Sequence, residues 1–267
     1  MNDAVLSRFG AEYARHRESE GRRHSAEELL QLPYLRSGPL ARQWSVRARS
    51  FEAFVDRVLR PERERRGRPL ILLDLGAGNG WLSHRAALDG DQAIAIDIRA
   101  DCVDGLGAAE MLARRVPGRM ECLQASFDAL PLADGSADIA VFNASLHYST
   151  SLEATLAEAA RVVRRGGRIV ILDSPFYRDE RDGLAMVAEK KAGAGDAFGE
   201  RAEALLALPF IEFLTRERLR LASRALSLEW TRHRVTYPLW YELRPLRAAL
   251  TGRRRPSRFD LWVAERP

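Results

Sequence analysis

The residues best equipped for chemistry lie between Leu70 and Ser83, where Asp74, Gly76, Gly78 and Gly80 recur at every second position. Leu70 to Leu75 is apolar apart from Asp74, as in a strand buried on both faces of a parallel sheet. The glycines let the chain turn sharply and lie against a ligand. A helix starting just after Gly80 would aim its free N–H groups into the same space. Strand, glycine turn and helix together make a nucleotide-type site. Further on, His147 and Tyr148 follow the apolar run Ala137 to Phe142. An imidazole titrates near neutral pH, so His147 is the first candidate for moving a proton, with Tyr148 and Tyr177 behind it. The alternative is that His147 packs under a ligand or orients its loop. Cys102 and Cys122 stand in no metal-like spacing, so no metal site or disulfide is expected, only two buried thiols in a reducing compartment.

Elements must hold these groups in place. Val5, Leu6, Phe9 and Tyr13 recur at helical spacing, which predicts a helix to about His16 and then a polar loop, Arg17 to His24. Ser25 and Glu28 form a capping box for a short helix ending before Pro33, and Gly38-Pro39 marks a break. Gln43 to Leu59 is a longer helix, expected to end at Pro61. From Leu70 the chain alternates: strands at 70–75, 93–98, 120–124, 137–142 and 168–172, with helices around 81–88, 103–115 and 152–163, and a turn at Arg164 to Gly167. After Asp173 come a helical stretch to Leu206 interrupted at Gly193 to Gly195, a helix within Phe210 to Leu221, and candidate strands at 226–235 and 259–265. The expected fold is α/β, a seven-stranded, mostly parallel, Rossmann-like sheet with helices on both faces. Residues 1–69 would form a helical lid, 70–267 the main domain, and 174–225 and 236–257 additions on the substrate side.

The dinucleotide fingerprint Gly-x-Gly-x-x-Gly fails here, because Trp81 stands at its third glycine. The pattern acid-x-Gly-x-Gly-x-Gly instead resembles the class I S-adenosyl-L-methionine (SAM)-dependent methyltransferases, over about Leu70 to Asp173 and more weakly in the last two strands. The resemblance implies that Asp74, Gly76, Ala77, Gly78, Asn79 and Gly80 cradle the amino-acid part of SAM, with Asp74 ordering the loop or reaching the amine. It implies that Asp97, ahead of Ile98, accepts charge-assisted hydrogen bonds from the ribose hydroxyls. Gln124 to Asp138 is similar to the family's adenine segment, with Leu130-Pro131 and Asp138 in register. The family's adenine-binding acid aligns with Ser126, so Ser126 and the Phe127 backbone serve the adenine, or Asp128 does so in a shifted register. Asn143 and the residues up to His147 fall where the family places groups beside the methionine and the methyl. In many small-molecule members N-terminal helices cover SAM, which gives Arg47 a carboxylate partner and makes Trp44 or Tyr13 a cover. The plain alternative for Arg47 is a solvated face.

The resemblance thus implies methyl transfer by in-line displacement to a small molecule. No Asn/Asp-Pro-Pro-Tyr motif follows the fourth strand, which speaks against a nucleic-acid base as acceptor. Aromatics in residues 1–69 and the additions (Trp44, Phe176, Tyr177, Phe198, Phe210, Phe213, Tyr237, Trp240, Tyr241) suit an apolar or ring-bearing acceptor. Two other readings remain: a protein that binds SAM without methylating, and an RNA methyltransferase using Arg253 to Arg258. The net charge of +5 rests almost wholly on arginine, with lysine only at Lys190 and Lys191, a bias that high-GC coding produces without a nucleic-acid partner. No run of about eighteen apolar residues and no signal-peptide layout occurs, so a cytoplasmic protein without a membrane partner is expected. Oligomeric state is not encoded legibly.

Overall fold

The computed structural model describes residues 3–267, and the side chains of residues 3, 4 and 6 lie outside that description, Leu6 with them. Helix α1 (Asp3–Ser19) runs three residues past the expected end, so Arg17 is helical rather than looped. Helix α2 (Ala26–Gln31) starts on the Ser25–Glu28 capping box. Helix α3 (Ala41–Phe54) continues through a widened turn, Val55–Leu59, into α4 (Arg60–Arg66). Pro61 therefore does not end the helix. The wider turn, in which Arg60 N–H reaches Val55 O, accommodates the ring that a regular turn would exclude, and Gly67 in the left-handed region ends it.

Strand β1 (Ile71–Leu75), helix α5 (Trp81–Leu88), β2 (Gln92–Asp97), α6 (Leu106–Ala113), β3 (Met120–Gln124), β4 (Ala137–Asn143), α7 (Leu152–Val162) and β5 (Val163–Leu172) follow. After α8 (Glu180–Ala192), short helices lead to β6 (Trp230–His233) and β7 (Leu261–Glu265). The sheet order is β3-β2-β1-β4-β5-β7-β6, parallel except that β7 runs antiparallel to both neighbours. Arg164 to Gly167 is not a turn but the start of β5, where the register against β4 shifts and Gly166 takes φ +68°. A Cβ on Gly167 would lie 2.7 Å from Asp138 O, so the glycine allows the two strands to close.

Alternate strand residues feed opposite cores. Leu72, Ile139, Val141, Val170 and Leu172 face a layer containing Trp44, Phe51, Phe54, Val58 and Trp81. Leu73, Ala140, Phe142, Ile169 and Ile171 face the side packed with Leu156, Ala159 and Leu219. Each fully buried Leu, Ile or Phe contributes about 1.5–3 kcal/mol. Residues 26–66 thus belong to the sheet's own covering, while α1 joins a separate small cluster of Phe9, Leu205 and Leu208. Cys102 is exposed and Cys122 half-buried, both free, so the expectation of two buried thiols fails for Cys102.

Candidate functional site

The strand order reverses between β1 and β4, where β2 and β4 flank β1 on either side. In such sheets a crevice opens beyond the carboxyl ends of the strands. A cavity of about 340 Å³ lies there, walled by the loops after β1, β2, β4 and β5 and roofed from the N-terminal helices.

From β1 the chain supplies Gly76, Ala77, Gly78 and Asn79 to the wall. Gly76, Gly78 and Gly80 have φ +77°, +56° and +72°, which L side chains rarely adopt. Gly76 and Gly80 also admit no Cβ, since one at Gly76 would lie 2.4 Å from Ser145 Cβ and one at Gly80 2.7 Å from Ala109 Cβ. Asp74 and Gly80 do not reach the cavity. Asp74 is fully buried and takes a hydrogen bond from Ser83 Oγ at 3.0 Å, tying β1 to α5, with Oδ1 lacking a partner among the described residues. Burial pushes its carboxyl up to about 7. Asn79 donates to Asp104 Oδ1 (2.9 Å) and accepts from Trp81 N–H (3.3 Å), so it starts α5. Trp81 lies edge-on to Trp44 (5.8 Å) and Phe51 (5.5 Å), joining α5 to α3.

From β2, Asp97 and Ile98 line the wall. Asp97 accepts Gly78 N–H at 2.8 Å and Arg99 N–H at 2.9 Å, one bond per oxygen, which leaves lone pairs on each. Burial raises its carboxyl, against the pull of Arg99 and these two N–H groups. Ser126, Phe127 and Asp128 form the next side. Ser126 Oγ accepts Asp128 N–H at 3.2 Å, and Asp128 Oδ1 accepts the Thr155 hydroxyl.

After β4 come Asn143, His147 and Tyr148. Asn143 Oδ1 and His147 Nδ1 are buried without a partner among the described residues. Burial, with Lys190, Arg47 and Arg17 nearby, lowers the His147 imidazole to about 3, so it is neutral and a weak base. Tyr148 OH meets Tyr13 OH at 2.8 Å, and burial raises this phenol well above its usual range. Asp173, which closes β5 at φ +49°, is a residue that sequence reasoning passed over. Ser50 Oγ donates to its Oδ1 at 2.5 Å and meets Tyr237 OH at 2.8 Å, while Oδ2 is buried with no partner among the described residues. Burial raises this carboxyl too, opposed by Arg47 and Ser50. An acid ending a buried apolar strand at this edge of the sheet was the available signal.

The roof is Tyr13, Arg17, Trp44 and Arg47. Arg17 Nε donates to Asp104 Oδ2 at 2.9 Å, and the Arg17 and Arg99 guanidinium groups lie 5.3 and 4.9 Å from the Tyr13 ring centroid. Trp44 Nε1 is buried without a partner. Among the described residues Arg47 makes no ion pair or side-chain hydrogen bond; it lies 5.2 Å from the Trp44 ring. Of the aromatics expected around an acceptor, Trp44 and Phe210 line the cavity, joined by Phe9 and Phe259, which were not foreseen. Phe176 instead stacks on Trp262 at 4.6 Å, and Tyr177 OH accepts Arg254 Nη1 at 3.0 Å away from the cavity.

Residues 73–171 match the family model described as a methyltransferase domain. The ubiquinone/menaquinone biosynthesis C-methyltransferase of Methylobacterium nodulans is 33% identical over 141 residues, 52% of this chain and 52% of that protein. The malonyl-acyl-carrier-protein O-methyltransferase of Erwinia pyrifoliae is 30% identical over 133 residues, 50% of this chain and 47% of that protein. The chain spans about half the length of these curated relatives. The geranyl diphosphate C-methyltransferase of Streptomyces coelicolor A3(2), solved with Mg2+, geranyl diphosphate and S-adenosyl-L-homocysteine, superposes with a TM-score of 0.59 at 14% identity, over 86% of this chain and 85% of that one. That likeness is one of fold.

Proposed function

We propose that this chain, whose residues 73–171 form a methyltransferase domain on the class I fold, moves a methyl group from SAM to a small, apolar or ring-bearing acceptor. The observation that carries the reading is the cavity's chemistry. An unpaired guanidinium, Arg47, and the unpartnered polar atoms of Trp44, Asn143 and Asp173 stand around apolar walls at the switch point of the sheet. Unsatisfied buried polar groups are costly and rare unless a ligand completes them.

The residues fit SAM. Asp97 has lone pairs for two ribose hydroxyls, Arg47 suits the carboxylate, and Asn143 Oδ1 can accept from the amine. Ser126 and the Phe127 backbone serve the adenine, and Asp128, with one bond from Thr155 on Oδ1, keeps lone pairs for the same role in the shifted register. Asp74 and Gly80 act from behind, shaping the loop. When bound, SAM supplies a methyl made electrophilic by its sulfonium.

The chain's own task is to align the acceptor and exclude water. The Tyr13–Tyr148 hydrogen bond and the Arg17–Asp104 pair hold α1 across the cavity, which makes α1 the cap. Where the acceptor must lose a proton, Asp173 Oδ2 is the better proton acceptor: its carboxyl is raised, whereas the His147 imidazole is lowered. His147 and Tyr148 then serve as wall and clasp. The reading of RNA as substrate loses two arginines of its patch, since Arg254 pairs with Glu189 and Arg258 with Glu242 and Asp260.

Calorimetry with SAM and S-adenosyl-L-homocysteine is the first test, and binding of neither ends the reading. An acceptor screen read by S-adenosyl-L-homocysteine release comes next. Bound SAM that no apolar acceptor consumes would favour a protein that holds SAM without methylating.

A further inference from the structure

The segment from Leu239 to Arg255 supplies no side chain to the SAM cavity. Its two helical pieces, Leu239–Glu242 and Arg244–Leu250, run on as one, because Leu243 between them keeps φ −80° and ψ −5° and its carbonyl accepts Arg247 N–H at 3.0 Å. The inner side is anchored by buried Tyr241 and by Arg42 lying 4.0 Å over Trp240. The outer side is bare. Leu239, Leu243, Leu246 and Leu250 follow a four-three-four spacing that puts them on one stripe, and they are 73%, 46%, 58% and 79% exposed.

The same segment carries five arginines against one glutamate. Among the described residues, Arg247, Arg253 and Arg255 have no ion-pair or side-chain hydrogen-bond partner. On the inner side, a pocket of about 580 Å³ is lined by Tyr241, Arg232, Arg234, Arg244, Arg255 and Arg258, of which Arg232, Arg234 and Arg258 are already paired with Asp260 or Glu242. Arg244 packs 3.8 Å over Tyr241 and donates to Ser257 O, leaving its buried Nε unpartnered.

We propose that this face docks the protein on an anionic phospholipid surface, the leucines entering the boundary between headgroups and acyl chains and the exposed Arg247, Arg253 and Arg255 meeting lipid phosphate. A helix with an apolar stripe beside arginines lies in the plane of such an interface, and its basic groups are drawn to the negative surface. The contact is peripheral, since no helix among the described residues is long and apolar enough to cross a membrane. An RNA backbone would answer the arginines but leave four leucines in water. Exposures this high describe a ridge rather than a groove, so a partner helix would find no cleft to fill. A symmetric second copy would bring the two sets of arginines together. The proposal does not depend on methyl transfer.

The test is co-sedimentation of the full chain with vesicles of equal phosphatidylglycerol and phosphatidylcholine, against vesicles of phosphatidylcholine alone. Binding to the anionic vesicles only is expected. The double variant Leu246→Glu/Leu250→Glu should weaken it about 10-fold or more, and Arg247→Glu/Arg253→Glu by a similar factor, about 10-fold. All four positions are exposed, so both variants should keep the wild-type melting profile and SAM affinity. Absence of binding to the anionic vesicles overturns the proposal. So does binding that the arginine variant loses and the leucine variant keeps, which would mark a purely electrostatic site for nucleic acid or an acidic protein. A leucine variant that dissolves a dimer while vesicle binding is absent assigns the stripe to a second copy instead.

Discussion

The two edges of the one sheet handle buried carboxylates in opposite ways. At the edge where the strands begin, Asp138 is wholly buried and saturated: Arg68 grips both oxygens at 2.8 Å, Ile71 N–H adds a bond at 2.8 Å, and Arg66 and Arg164 stand at 3.0 Å. Glu62 is held by Arg65, Arg66 and Arg168, and Asp91 by Arg63 and the Leu70 N–H. Burial alone would raise Asp138 and Glu62, but these partners outweigh it and both are lowered. At the edge where the strands end, Asp74 and Asp173 each keep an oxygen with no partner, and burial leaves Asp74, Asp97 and Asp173 raised. A saturated buried acid stabilises the fold, whereas one left open is waiting for a ligand or a proton.

If this division is right, substitutions at the two edges separate stability from binding. The largest effect belongs to Asp138→Asn, which takes the buried carboxylate away from Arg66, Arg68 and Arg164 at once. It should cost about 3–5 kcal/mol in urea unfolding, and roughly 10 °C in melting temperature, with the SAM affinity of the folded protein unchanged. A neutral Asp138→Asn would erase the distinction between the edges. Next comes Asp173→Asn, expected to lower kcat about 100-fold or more for an acceptor that loses a proton, while melting at neutral pH stays level or rises. Undiminished kcat in that variant removes Asp173 from the mechanism. Asp97→Ala and Arg47→Ala should weaken SAM binding about 10- to 100-fold, the loss of charge-assisted hydrogen bonds of roughly 1.5–3 kcal/mol. Calorimetry reads the affinity, and a normal dissociation constant in either variant would misplace the ribose or the carboxylate.

What the sequence disclosed follows the range of the interactions involved. The strands were legible because each buries alternate residues on two faces, a pattern local to a few residues, and the glycine loop because φ > 0 demands glycine locally. Tyr13, Trp44 and Arg47, which the family resemblance had set over the cofactor, line the cavity from α1 and α3. Nothing local in the basic run Arg63 to Arg68 marks it as internal, since its partners Asp91 and Asp138 come from elsewhere in the chain. Asp173 escaped notice for the same reason: Ser50 and Tyr237, which frame it, are distant in sequence. Pro61 misled because a widened helical turn is not encoded by the proline itself. The aromatics of the additions misled because an aromatic side chain fills a core as readily as it lines a pocket.

The smallest expected effect tests the comparison without any ligand. Asp74, raised from its ordinary 3.8 to about 7, binds its proton more tightly in the folded chain than in the unfolded one, and Asp97 and Asp173 share that sign. Their contribution to stability is present in acid and fades as pH rises, for Asp74 through about 7. Glu62 and Asp138 have the opposite sign, so theirs is present above the ordinary carboxylate range and is lost as pH falls through their lowered folded values. Stability should therefore peak on the acid side of neutrality and fall on the order of 1 kcal/mol toward pH 8.5. Urea unfolding at about pH 3, 5.5, 7 and 8.5 measures both falls. Asp74→Asn should flatten the alkaline fall and leave the acid one, and Asp138→Asn the reverse. Were Asp74→Asn to leave the alkaline fall intact, the open edge of the sheet would not be what titrates there.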